Sequence, residues 1–333
     1  MFLYKRDLQG RLFDKYLVST LILSLFMINY AHGSGLSAAE FMRLEKNEQI
    51  AYLKAAILSF RKSTSNISVL TSHSVKNVDY DPVSKTVGQH VLGMGTGIKN
   101  EIRRLGSSYR LECTPVPLIK MPNTIYPIVT EGYNAKESLY YTLQKNDNKR
   151  NTIKYFGQVR QEQGSLIQNS FFLLYLGGND PNRLYHDDLG AWFLAGASAA
   201  TMVRNLPGTE IVEVEFPRPV NPNSLSKYDG IYMAEFDLEK DALLTRFSRQ
   251  SSLRKGSGQG WDYTEEKSML SPILIKGIWV PTKMKTVVWS SDEPKSVTVH
   301  EGTIDNIRIN ELTPDDLTVD FPVGTTIVEN VKD

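Results

Sequence analysis

The feature that most constrains this chain is the alternation inside residues 269–309. From Ile278 every second residue is apolar or β-branched: Ile278, Val280, Thr282, Met284, Thr286 and Val288. Lys283 and Lys285 fall between them. A period of two belongs to an extended strand, so the stretch reads as an antiparallel strand with one buried face. Trp279, Val287 and Trp289 interrupt the polar side, which predicts that this side is covered in part as well.

The same period recurs along the chain. Tyr109, Leu111 and Cys113 share one face against Arg110 and Glu112, and Leu139, Tyr141 and Leu143 repeat the pattern. Val212, Val214 and Phe216 oppose Glu213 and Glu215, and Tyr232, Ala234, Phe236 and Leu238 oppose Glu235 and Asp237. Turn clusters such as Asp79-Tyr80-Asp81-Pro82 and Asn146-Asp147-Asn148 separate these runs, as in an antiparallel meander. No βαβ rhythm is present, which excludes a doubly wound parallel sheet. Two segments are helical in pattern. Residues 37–62 carry an apolar stripe from Phe41 to Phe60, with Ser37 and Glu40 at capping-box spacing. Residues 187–203 are small and apolar all round, with Asp187 and Asp188 before them and Pro207-Gly208 after them. Such a helix must be covered on most sides, and a sheet curled around it would do that. The predicted class is mainly antiparallel β with helices, α+β. Leu317, Val319 and Phe321 are expected to pack an irregular closing tail, and residues 254–260 to form a Gly-rich loop.

The chain of 333 residues can bury a substantial core without disulfides, and it has one cysteine, Cys113. Lys5, Arg6, Arg11 and Lys15 precede an apolar run over residues 16–28, followed by Ala31 and Gly33 at the small-residue positions of a cleavage site. This is the pattern of a secretory signal peptide over residues 1–33, or of an uncleaved anchor; residues 34–333 form the expected mature domain. The run is short for a membrane span of about 20 residues. Net charge is +1, of which the first 33 residues hold +2 and the remainder −1. A near-neutral mature chain gives no reason to expect nucleic acid or an anionic surface as partner.

No G-x-S-x-G, H-E-x-x-H or paired CxxC motif occurs, so no catalytic residues, metal ligands or cofactor are assigned. His186-Asp187-Asp188 reads as a helix cap before it reads as an acid–base site. His73 lies on an apolar strand face and reads as a buried structural histidine. Cys113 alternates with Leu111 and Tyr109 and reads as a small core residue, since Glu112 and Thr114 would not lower a thiol pKa. Gly93-Met94-Gly95-Thr96-Gly97 lacks GxGxxG spacing and reads as a bulged strand. Asn66-Ile67-Ser68 is a formal glycosylation sequon.

With the export pattern, first helix, meander, apolar second helix and Gly277-Ile278-Trp279-Val280-Pro281 strand in hand, the chain resembles the LolA-like superfamily of outer-membrane lipoprotein sorting. The resemblance covers most of residues 37–325. It implies an incomplete, open antiparallel β-barrel with plug helices on its concave face. It also implies a periplasmic, non-catalytic protein whose hollow takes a lipid or an acylated lipoprotein. Trp192, Phe193, Met202, Met284 and Val288 are the expected cavity liners. Two alternatives stand: an envelope sensor or structural protein that binds another envelope protein through its sheet edge, and an exported hydrolase built on His73, His90, His186 or His300.

Overall fold

A computed structural model describes residues 35–81, 84, 86–94, 97–116, 128–134, 136–137, 139–148, 152–161, 189–218, 228–253 and 262–330. The expected export segment, His186, Asp187, Asp188, and the 254–260 loop lie outside them.

Among the described residues fifteen strands form one sheet. They are β1 (Asn66–Asp81), β2 (Thr86–Met94), β3 (Gly97–Leu105), β4 (Ser108–Val116), β5 (Ile128–Asn134), β6 (Leu139–Asn148), β7 (Thr152–Gln161), β8 (Met202–Asn205), β9 (Ile211–Pro217), β10 (Tyr228–Asp237), β11 (Leu243–Leu253), β12 (Asp262–Ile275), β13 (Ile278–Ser290), β14 (Ser296–Ile309) and β15 (Thr326–Asn330). The order is β15-β7-β6-β5-β4-β3-β1-β14-β13-β12-β11-β10-β9-β8, with β2 also along β1. It consists of two meanders that meet where β1 pairs with β14. All pairs are antiparallel except β15 on β7. β8 and β15 end the order and do not pair with each other, so the sheet stays open. β1 passes from pairing Lys76 with Met94 to pairing His73 with Ile98. The register of β1 with β2 shifts between Asn77 and Val78 and between Val78 and Tyr80, and Gly95 and Thr96 of the run expected to bulge lie outside the described residues.

The alternation sorts side chains to two faces. On β13, Val280, Met284 and Thr286 are buried and Lys283 is exposed. The buried set joins Ile67, Val69, Ile102, Leu111, Val214, Phe216, Phe236 and Met269 in one core. Helices α1 (Ala38–Phe41), α2 (Lys46–Ser63) and α3 (Leu189–Gly196) supply Phe41, Leu53, Ile57, Trp192 and Phe193 to it. Phe193 meets the rings of Phe236 and Phe216 at 4.8 and 5.6 Å, and Trp192 meets Tyr232 at 5.4 Å. These are edge-to-face contacts, the favoured aromatic geometry. On the opposite, outer face Val287 and Trp289 pack with Val78, Val297 and Val299, which covers the polar side of β13 as expected.

Both helices differ from the sequence expectation. The first divides: Ser37 and Glu40 close a capping box on α1, and a second box of Glu45 and Glu48 restarts the chain as α2. A second reciprocal cap starts a new helix more readily than it extends an old one. The second helix stops at Gly196, passes through a 3-10 turn at Ala197–Ala199, and Met202 and Val203 belong to β8 instead. Gly196 is a poor helix former, and pairing with Glu215 and Val214 of β9 claims the backbone at Met202 and Val203.

After the short 3-10 turn Pro314–Leu317, the tail crosses the outer face. A Cβ on Gly132 would lie 2.5 Å from Val319 Cγ2, and one on Gly157 would lie 2.5 Å from Phe321 Cε1. The two glycines are notches that receive the tail. Asn66 donates to Leu312 O at 3.1 Å and accepts from Leu312 N at 3.0 Å, so its amide is committed to structure.

Candidate functional site

β12 and β13 pair through to Ile275 and Ile278, whereas β11 leaves β12 at Ser268 and β14 leaves β13 at Lys283. Residues 269–282 therefore form a two-stranded arm beyond the flanking strands. Its turn has Lys276 at φ 49° and Gly277 at φ 79°, the left-handed pair of a tight hairpin turn, where glycine fits without strain. Met269 and Val280 anchor the arm in the core, with Ile275, Ile278 and Trp279 packed against it. Lys276 Nζ ties its tip to Ile309 O at 2.7 Å and Glu311 Oε1 at 2.8 Å.

Between the arm and α2 lies a groove of about 280 Å3. Ala56, Ile57 and Phe60 form the helical wall, Leu243 and Leu244 of β11 the sheet wall, and Ile278 and Trp279 the arm wall, with Gly190 of α3 also on its lining. Ile57 and Phe60 are three apart, hence on one helical face. Charge is confined to Lys240 and Asp241 at the β10–β11 turn. Lys240 is paired with the Asp237 carboxylate and its Nζ stands 5.9 Å from the Trp279 ring centre, a cation–π distance. Burial pushes the Asp241 carboxyl above the ordinary range. An apolar channel with a few polar groups on its lining suits an amphiphile, because apolar contact is non-directional and tolerates chain variety.

Of the expected liners, Trp192 and Phe193 are buried in the core, where Met284 joins them. Met202 is half-buried on β8, and Val288 is half-buried on β13 opposite Glu265 and Thr298. The structure thus brings three of the five together and leaves two apart, and none of the five lines the groove. Ile57, Phe60, Leu243, Leu244, Ile278 and Trp279 do so instead. Ile278 and Trp279 stood in the most informative stretch of the sequence, but nothing local reveals that β14 stops short of them.

The inner face also carries buried polar groups. Glu265 pairs with Arg249 and lies 3.4 Å from Lys267 Nζ. Burial alone would lower the pKa of Arg249, but Glu265 and Tyr263 beside it hold it raised. Thr286 lies between Lys267 and His300 in the pairing, and its buried Oγ1 has no hydrogen-bond partner among the described residues. His73 and His300 are electrostatic neighbours, while His90 is exposed on β2 with its backbone N–H on Asp79 Oδ1. Cys113 is held as the thiol by burial and by Glu131. Among the described residues, no three His, Cys, Asp or Glu side chains stand together as a metal site, and no helix is long and apolar enough to cross a membrane.

No family model matches the sequence, and no curated protein matches it. Solved structures align with it at low identity and low TM-score. A DUF1329 family protein from Desulfovibrio piger ATCC 29098 aligns over 81% of this chain and 99% of its own, at 12% identity and a TM-score of 0.34. A LolA superfamily protein from Nitrosomonas europaea aligns over 80% and 97%, at 8% identity and a TM-score of 0.36. The open antiparallel sheet with helices against its inner face agrees with the open antiparallel α+β class expected from the sequence.

Proposed function

We propose that this protein is an exported, periplasmic carrier that holds an acyl chain of a lipid or lipoprotein in the groove between α2 and the arm. Its basic, apolar N-terminal run supports export. The observation that carries the binding role is the groove itself: an apolar-walled channel of about 280 Å3 open beside an unclosed sheet. That volume is near the lower end of ligand sites, roughly 300–1,000 Å3, and favours one slender chain over a bulky ring system. β8 and β15, the two ends of the sheet order, are short templates for a partner strand, with four and five residues. The acyl-chain reading is preferred over partner binding through an edge because the groove supplies an apolar lining.

Displacement of a fluorescent fatty acid tests the reading. Phe60→Ser and Ile57→Asp, both in the groove wall, are expected to weaken binding at least tenfold. Leu58→Asp, on the exposed side of the same helix at 54% exposure, should leave it unchanged. Equal affinity in folded Phe60→Ser and wild-type protein would sink the assignment.

A further inference from the structure

The outer side of the arm and the sheet beside it are unlike the rest of the surface. Leu270 and Leu274 are 45% and 56% exposed, four residues apart on β12. They pair with Lys283 and Trp279 and so share one face of the ribbon, whereas Ile273 pairs with the buried Val280 on the other. Single exposed apolar residues need no explanation, but two on one face of a projecting ribbon form a patch. Leu270 pairs with Lys283, and both border a hollow of about 460 Å3 on the outer face, together with Lys99 and Lys285. Among the described residues the one carboxylate on its lining is Glu301, which lies 2.8 Å from Lys76 and 4.0 Å from Lys285. Three lysines thus line the hollow against one acid that Lys76 already pairs. The near-neutral charge of the whole chain hides this local excess.

We propose that this face docks on an anionic lipid surface. Apolar side chains on the arm would enter the acyl boundary of the bilayer, while Lys99, Lys283 and Lys285 meet the phosphates. That pairing of an apolar wedge with flanking cations is what an interfacial anchor needs, since neither term alone holds stably. Charge complementarity decides the occupant: a purely apolar protein partner would leave three lysines desolvated and unmatched. The arm that docks also carries Ile278 and Trp279, two walls of the groove, so docking places the groove beside the membrane.

Sedimentation of the full chain with vesicles tests this, using phosphatidylcholine alone against phosphatidylcholine mixed with phosphatidylglycerol. Binding is expected only to the mixed vesicles and should weaken with salt. Each lysine near the surface is worth about fivefold, so Lys283→Glu with Lys285→Glu should lower partitioning by well over tenfold. Leu270→Ser with Leu274→Ser should lower it by roughly tenfold or more, since each removes an exposed side chain that would be buried. These sites are exposed, so the variants are expected to fold and to keep binding the fluorescent fatty acid. A wild-type protein that ignores phosphatidylglycerol vesicles overturns the proposal, as do variants that bind them like wild type; the latter result would assign the patch to a protein contact. Loss of fatty-acid binding with vesicle docking intact would fail the carrier reading and leave this one standing.

Discussion

Burial lowers the proton affinity of His73, and the neighbouring charge of His300 lowers it further. The folded pKa therefore lies below that of the unfolded chain, near 6.5. Between the two values the unfolded state binds more protons, so stability rises with pH there. The contribution of His73 is present in full above about pH 6.5 and is lost as pH falls through the folded value. Urea midpoints measured from neutral to mildly acidic pH should decline for the wild type, and His73→Gln should flatten that decline. A variant with the same slope would place the sensitivity elsewhere. Residues whose role depends on near neighbours were readable in the sequence, as Ser37 with Glu40, three positions apart; Cys113, read as a core residue, is only half-buried. The groove residues were not. Leu58 and Ile57 are equally apolar letters, and only the packing of α2 against the sheet decides that one faces water.

At the level of elements, period two is a local signal, so the strands and the double cover of β13 could be read directly. Where a strand loses its lateral neighbour depends on the lengths of other strands, and this is why the arm was invisible. The second helix was read too long for a related reason: pairing with β9 outcompeted a weak helical preference at Met202 and Val203. The tail was foreseen as packed, but not its receptors. Gly132 and Gly157 admit Val319 and Phe321 because they have no Cβ. Gly157→Leu should therefore expel Phe321, at a cost of about 1–3 kcal/mol for overpacking. Thermal unfolding would report the loss, and limited proteolysis should cut within residues 318–325 in the variant first. A variant with unchanged melting and an unchanged cleavage map would show that the notch is incidental.

For the whole molecule, the two meanders depend on one seam. Along it Ile67 faces Ile309 and Thr71 faces Ile304, and Ile304 is 3% exposed. Ile304→Ala is expected to cost about 2–5 kcal/mol, as large-to-small core changes do. Because one core cluster joins Ile102 and Leu111 of the first meander to Val214 and Phe236 of the second, the loss should appear as one transition. Near-ultraviolet signals from the tyrosines of the first meander and the tryptophans of the second should share a midpoint. Two separated midpoints would mean that the halves stand independently.

That seam also sets a schedule. The side chain of Asn66 closes its hydrogen bond with Leu312 across 246 positions of sequence. A ribosome delivers β1 among the first strands and β14 almost last. Until then one long flank of the central strand has no mate, and sheets dominated by such distant pairings assemble slowly, with edges open to wrong partners. The molecule is complete only when its end returns to its beginning, so the interval between the two is when a holding chaperone would matter most.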